Sequence, residues 1–141
     1  NWIFFVFVIG YVLLNEGFTL VNTCEDFSED KQKNILTWAH LFGLRKTLHI
    51  AFIFSLSGLF CILSLIFFLI RKPVNSVIYY IALLSIIITT ILIVKASLEV
   101  HDVVNGSDLE KRSKQFGTRL QRWFMMTRYP LMISAFLIML L

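Results

Sequence analysis

Apolar residues in this chain occur in four long blocks, and polar segments separate the blocks. The blocks are residues 2–21, 48–70, 74–98 and 123–141, and each has about twenty residues, enough to cross a hydrocarbon core of roughly 30 Å. Every block is continuously apolar and lacks the alternation of a barrel strand, so we expect helices. The pattern therefore predicts an all-α integral membrane bundle with four transmembrane helices.

Composition points to the same class. Hydrophobic residues make up 57% of the chain and charged residues only 16%, whereas a soluble globular domain has roughly 25% charged residues. The chain opens and closes inside apolar runs, and no basic segment or cleavage site of a secretory signal precedes the first run. We therefore expect a membrane protein and a piece of a longer chain.

The two long polar segments, 22–47 and 99–122, should lie on the same side of the membrane because two spans separate them. They hold four and five basic residues, whereas the turn on the opposite side holds only Arg71 and Lys72. Loops rich in lysine and arginine stay in the cytoplasm. We therefore expect a multi-pass membrane protein with both polar loops on the cytoplasmic side.

Within these loops, two local patterns predict helix boundaries. Segment 35–44 is apolar but too short to span a membrane, which is typical of a helix lying at the interface, and Gly43 is a stop signal for it. In the second loop, the run NGSD at residues 105–108 predicts a turn, with the N-cap of the next helix at Ser107 or Asp108.

The candidate chemistry lies in the first loop, where Asn22, Asp26 and Asp30 recur at every fourth residue. On a helix such residues form one line along one side. The carboxylates of Asp26 and Asp30 would lie about 6 Å apart, close enough to share a hard cation such as Mg²⁺. Alternatively, the acidic run is a solvated loop between two spans.

The polar line continues inward from Asn22 through Thr19 and Asn15, which lie in the first apolar block. Lipid would penalise polar side chains at that depth. We therefore expect the line to face the bundle interior or a water-filled cavity. Alternatively, Asn15 and Thr19 simply bond to neighbouring helices.

Three short runs follow one another in this loop: Asn22-x-x-x-Asp26-x-x-x-Asp30, Ile35-Leu36-Thr37 and Leu41-Phe42-Gly43-Leu44-Arg45. Together they resemble the second aspartate-rich motif of the UbiA superfamily of intramembrane prenyltransferases, D-x-x-x-D-x-x-x-G-I-x-T followed by L-G-L-R. Asn34 stands where that family has glycine, and asparagine is the next best residue at positive φ. The family's first aspartate-rich motif does not occur in this sequence. The resemblance covers the whole chain as a layout of spans and is specific within residues 22–47.

The resemblance implies that residues 1–141 form the C-terminal transmembrane half of a nine-helix bundle. It implies a Mg²⁺-dependent enzyme that transfers a prenyl group from an isoprenyl diphosphate to a prenyl acceptor within the membrane. Its surroundings would be membrane lipid, with no nucleic acid as partner. Asp26 and Asp30 would hold the metal and act in catalysis, and a second aspartate cluster would come from residues outside this chain.

Four residues would contact the diphosphate under the same resemblance: Asn22, Lys31, Lys33 and Arg45. Arginine offers a bidentate fork to phosphate oxygens and lysine a point charge. For Arg45 the alternative is anchoring at the membrane interface, which is common for basic residues at the ends of spans.

A second functional class fits the same layout. The chain would then be a non-enzymatic four-span membrane protein, such as a transporter fragment or an assembly subunit, whose acidic loop binds cations or a partner. This alternative requires neither Asn22, nor Thr37, nor the Gly-Leu-Arg spacing, and it leaves the polar line in the first span without a purpose.

Overall fold

The computed structural model describes the backbone of residues 2–71 and 77–140, and within it all side chains except those of 66–71, 78, 82, 118, 120–125, 127–128 and 134–140. Helices make up nearly all of this part, which contains no strand. The helices are α1 (Trp2–Glu25), α2 (Phe27–Gln32), α3 (Trp38–Phe42), α4 (Leu44–Arg71), α5 (Val77–Val104) and α6 (Leu109–Leu140). The predicted all-α class is confirmed.

The four long helices pack side by side. Helix α1 packs against α4 and α6, and α5 packs against the same two helices from the other side. The short helix α3 lies against α4 and α1, next to α2. The polar loop 22–47 is thereby gathered at one end of the bundle, next to the start of α6.

Small residues bring α1 and α4 close together. A Cβ atom at Gly58 would lie 2.6 Å from Leu14 Cγ and 2.8 Å from the carbonyl oxygen of Gly10. A Cβ atom at Gly17 would lie 2.7 Å from Ser55 Oγ. Because lipid gives little hydrophobic drive for helices to associate, close backbone approach of this kind is how membrane helices gain packing energy.

Three helices of the described part are long and apolar enough to cross a membrane: Trp2–Glu25, Leu44–Leu65 and Tyr79–Val104. Their outward faces carry large exposed apolar side chains such as Phe60 and Ile91. Such faces suit a hydrocarbon surrounding. The fourth predicted span, 123–141, overlaps α6 as far as Leu140, and most of its side chains are outside the described residues.

The segment predicted as the second polar loop, 99–122, is largely helical. Helix α5 continues to Val104 and α6 begins at Leu109, so only residues 105–108 form a turn. The reason is composition, since the polar stretch after the turn is rich in lysine, arginine and glutamine, which favour helix. Asp108 precedes α6, and its carbonyl oxygen accepts the Arg112 amide at 2.9 Å, as predicted for an N-cap residue.

Candidate functional site

The line of Asn22, Asp26 and Asp30 crosses the junction between α1 and α2. Asp26 forms a bend there, with φ −86° and ψ 6°. The helical hydrogen bonds nevertheless continue, because the Asp26 amide donates to the Asn22 carbonyl at 3.1 Å and the Asp30 amide to the Asp26 carbonyl at 2.8 Å. The four-residue spacing of these backbone hydrogen bonds is therefore kept through the bend.

The exposure of these side chains differs from expectation. Asn22 and Asp30 are half-buried, whereas Asp26 is exposed. Further along α1, Thr19 is also exposed, and its hydroxyl donates to the carbonyl oxygen of Asn15 on the same helix at 2.9 Å. The polar line thus runs along the edge of the described bundle, not through its interior. Back-bonding to the helix explains how Thr19 is satisfied there.

The donor set at this bend is suited to Mg²⁺. Asp26 precedes α2 but makes no side-chain capping hydrogen bond, so the backbone does not occupy its carboxylate. No group of three or more histidine, cysteine, aspartate or glutamate side chains is positioned for a metal among the residues that the structure describes. Mg²⁺ commonly binds through only one or two carboxylates, together with water and substrate phosphates. Asp26 and Asp30 would supply the two carboxylates of such a site.

Asn34 follows α2, the acidic helix that contains Glu29 and Asp30, and its backbone is in the left-handed conformation, with φ 55°. The Ile35 amide donates to the Asp30 carbonyl at 2.9 Å, and the Asn34 amide lies 3.4 Å from the Lys31 carbonyl. This pair of bonds is the Schellman arrangement, which normally has glycine at the left-handed position. Asparagine tolerates that conformation better than most side chains do. Asn34 thus meets the backbone requirement predicted for it.

His40 fastens α3 to the acidic helix. Its ring stacks on Phe27, the first residue of α2, with centroids 4.5 Å apart. Its Nε2 lies 3.1 Å from the Phe27 carbonyl oxygen, and its Nδ1 lies 2.8 Å from Thr37 Oγ1. A carbonyl oxygen can only accept, so Nε2 carries a proton, and in the neutral ring Nδ1 accepts from the Thr37 hydroxyl. His40 therefore has a structural role that its isolated position in the sequence did not indicate.

The other end of α3 is fixed to α4. Gly43 follows α3 with φ 81°, which confirms the predicted stop. Thr47 is fully buried, and its hydroxyl lies 3.1 Å from the Gly43 carbonyl and 3.3 Å from the Trp38 carbonyl. A short helix does lie within the predicted segment 35–44, from Trp38 to Phe42.

Helix α6 approaches the acidic segment at two positions. Glu25 lies so close over Gly117 that its carboxyl group takes the space where a Cβ atom would be. Four residues later, Glu29 Oε1 accepts from Lys114 Nζ at 2.9 Å. This hydrogen bond, followed by the Coulomb attraction, lowers the pKa of Glu29 and raises the pKa of Lys114. Asp26 and Glu25 attract Lys114 as well and raise its pKa further.

The predicted basic contacts are exposed and available. Lys31, Lys33 and Arg45 all point to solvent, and in the described part of the chain none of them is hydrogen-bonded or ion-paired to Asp26 or Asp30. Arg45 lies at the start of α4, beyond the intervening α3.

Lys114 approaches the acids from α6, and the sequence did not predict this contact. It lies 85 residues from Glu29 along the chain, so no local spacing could have indicated it.

Comparison with known proteins yields no match, whether to a protein-family model, to a curated protein or to a solved structure.

Proposed function

We propose that this chain contributes half of the active site of a Mg²⁺-dependent intramembrane prenyltransferase. The supporting observation is the pair of backbone hydrogen bonds across the Asp26 bend, from the Asp26 amide to Asn22 and from the Asp30 amide to Asp26, which keep the three residues at helical i to i+4 spacing. A disordered acidic loop would not hold this register. The left-handed Asn34 supports the proposal too, because it meets the backbone requirement of a glycine position in the motif.

In this proposal Asp26 and Asp30 hold the metal with their carboxylates at the polar end of α1. When bound, Mg²⁺ would neutralise the diphosphate and stabilise it as a leaving group. Lys31 lies on α2 and Lys33 caps its C-terminus; both are exposed and can reach diphosphate oxygens as point charges. Asn22, one turn before Asp26, would orient a ligand or a carboxylate, and Arg45 would add a bidentate contact from the start of α4.

The rest of the site would lie outside the described bundle. A polar line at the edge of a membrane helix is unfavourable against lipid, so a further protein surface should cover it. In the proposed nine-helix enzyme that surface is the other half, which brings the second aspartate cluster. The present chain then supplies four spans, with the acidic loop in the cytoplasm. Covering the line would also exclude water from the reactive allylic cation.

One observation favours the alternative, a non-enzymatic four-span binding protein. Glu29 and Glu25 are both engaged by α6, through Lys114 and Gly117, so part of the acidic run holds the bundle together. Asn22, Asp26 and Asp30 are not needed for this hydrogen bond or for the packing over Gly117. We favour the enzyme because these three residues are the ones that match the motif.

The test is a radiolabelled prenyl diphosphate assay in membranes with the full-length protein at saturating Mg²⁺. Asp26→Asn and Asp30→Asn should each reduce prenyl transfer by orders of magnitude, since a metal contributes several kcal/mol and each ~1.4 kcal/mol is a factor of ten. Chelation by EDTA should abolish activity, and added Mg²⁺ should restore it.

The matched control is Glu25→Gln, which removes a neighbouring charge off the line but keeps the shape that packs over Gly117. This variant should retain most of the activity. Equal activity of Asp26→Asn and the unmodified protein would reject the enzyme and leave the binding protein.

A further inference from the structure

A cavity of about 360 Å³ lies between the end of α5 and the start of α6. Its apolar base is formed by Val103 and Phe116, both buried. The candidate span on α5 ends at Val104, so the cavity lies where α5 leaves the hydrocarbon region. The headgroups of phospholipids lie at this level of a bilayer.

The walls of the cavity carry opposite charges. Glu99 and Asp102 line it from α5, and Arg112 and Arg119 line it from α6. Residues three apart on a helix share a side, so the two acids form one wall and the arginines form the other. Within the described residues, neither acid is hydrogen-bonded or ion-paired to either arginine. Beside Asp102, the Nδ1 atom of His101 lies 3.9 Å from Asp102 Oδ1.

The acidic wall also contains an unsatisfied acceptor. Glu99 Oε2 is shielded from solvent and has no hydrogen-bond partner. Buried carboxylate oxygens almost always accept a hydrogen bond, and one that does not calls for an explanation. A ligand that brings an N–H donor to Glu99 and an anion to the arginines would satisfy both walls together.

We propose that this cavity binds the headgroup of a zwitterionic aminophospholipid, with a primary ammonium and a phosphate as in phosphoethanolamine. The ammonium donates to Glu99 and is attracted by Asp102 on the same wall, and the phosphate accepts from Arg112 and Arg119 in charge-assisted hydrogen bonds. A choline headgroup has no N–H to donate to Glu99, and a glycerol headgroup has no cation. The inference goes beyond prenyl transfer and does not depend on it, because none of these residues belongs to the acidic line.

The test is native mass spectrometry of the full chain released from detergent. Phosphatidylethanolamine, phosphatidylcholine and phosphatidylglycerol with identical acyl chains are added in equal amounts. One molecule of phosphatidylethanolamine per chain should be retained, in roughly tenfold preference to the other two lipids. That factor is the usual effect of one charge-assisted hydrogen bond. Glu99→Gln should reduce this preference to about twofold or less, and Arg119→Gln should weaken retention of all three lipids.

The control is Glu110→Gln, which removes an exposed acid of α6 that does not line the cavity. It should leave the preference unchanged. If Glu99→Gln loses its helical circular dichroism, Asp102→Asn takes its place, because that exposed side chain can change without loss of packing.

Equal retention of the three lipids, or a preference that survives in the acid-wall variant that folds, would overturn the proposal. Competition with soluble phosphoethanolamine shows whether the free headgroup or the whole lipid is the ligand. Displacement of the lipid means that the zwitterion alone is sufficient, whereas continued retention identifies the whole lipid as the ligand. Both results uphold the headgroup chemistry.

Discussion

Glu29 Oε1 and Lys114 Nζ lie 2.9 Å apart, although 85 residues separate them in the chain. The pair joins the acidic helix α2 to the first turns of α6. Both side chains are about half exposed, so solvent and salt screen the attraction. The pair therefore adds little to stability, and its main effect is to fix the position of α2 next to α6.

We predict that Glu29→Gln and Lys114→Gln each lower Tm slightly and that the double variant loses little more than either single variant. Thermal unfolding in detergent at low salt measures this coupling. At about 1 M salt the coupling should disappear, because the screening length falls to roughly 3 Å. Additive losses would mean that the pair does not form in solution.

The pair of Glu29 and Lys114 should also make thermal stability depend on pH. The pKa of Glu29 is lowered from 4.5 in the folded state, so its contribution is complete above that value and is lost as the pH falls through the lowered pKa. The pKa of Lys114 is raised from 10.5, so its contribution is complete below that value and is lost as the pH rises through the raised pKa. The difference in Tm between the unmodified chain and Lys114→Gln should be constant from pH 5 to 10 and shrink in acid.

His40→Ala should loosen α3 from α2. The substitution removes the stack on Phe27 and leaves the hydrogen bonds with Thr37 and the Phe27 carbonyl unmade, at a local cost of about 1–2 kcal/mol. Hydrogen exchange of the backbone from 33 to 42 should become several-fold faster, while α4 stays protected. His49→Ala, at an exposed position, is the matched control and should leave the exchange pattern unchanged.

Two substitutions at Asn34 test how the acidic helix α2 ends. Asn34→Gly should be neutral or slightly stabilising, because glycine adopts the left-handed conformation without penalty. Asn34→Val should cost at least ~1 kcal/mol, since a β-branched residue fits φ 55° poorly. Unfolding midpoints of the two variants decide this. A valine variant as stable as the glycine variant would show that Asn34 is not left-handed in the protein.

Gly58→Val should separate α1 from α4. Its Cβ atom would meet Leu14 Cγ at 2.6 Å and the Gly10 carbonyl at 2.8 Å, and backbone cannot move aside cheaply. Overpacking of this kind typically costs about 1–3 kcal/mol, measurable as a lower unfolding midpoint in detergent. Ser64→Val, on the exposed side of the same helix, should have little effect. A similar loss in both variants would point to a general effect of valine in α4.

Several local features could be predicted from the sequence because each depends on neighbours within one or two turns. The apolar blocks determine the long helices, Asn34 and Gly43 end the short helices with positive φ, and Asp108 precedes α6. The line of Asn22, Asp26 and Asp30 follows from the helical period alone.

Features that involve two helices could not be predicted in this way. Nothing in the sequence pairs Glu25 with Gly117 or Glu29 with Lys114, because such contacts depend on how α1, α2 and α6 pack. The polar line was expected to face the bundle interior or a water-filled cavity, and among the described helices it lies at the edge, where Thr19 is exposed. Periodicity determines which residues share a side, whereas the neighbouring helices determine where that side points.

The contacts of α6 with Glu25 and Glu29 impose an order on biosynthesis. The acidic segment is made early, but the residues that fasten it, Lys114 and Gly117, are synthesised about ninety residues later, or several seconds at ordinary elongation rates. During that interval α1 and α4 can already insert and pair through their glycines. A nascent chain stopped before Lys114 should therefore present inserted helices with a protease-sensitive acidic segment, which becomes resistant only when α6 arrives.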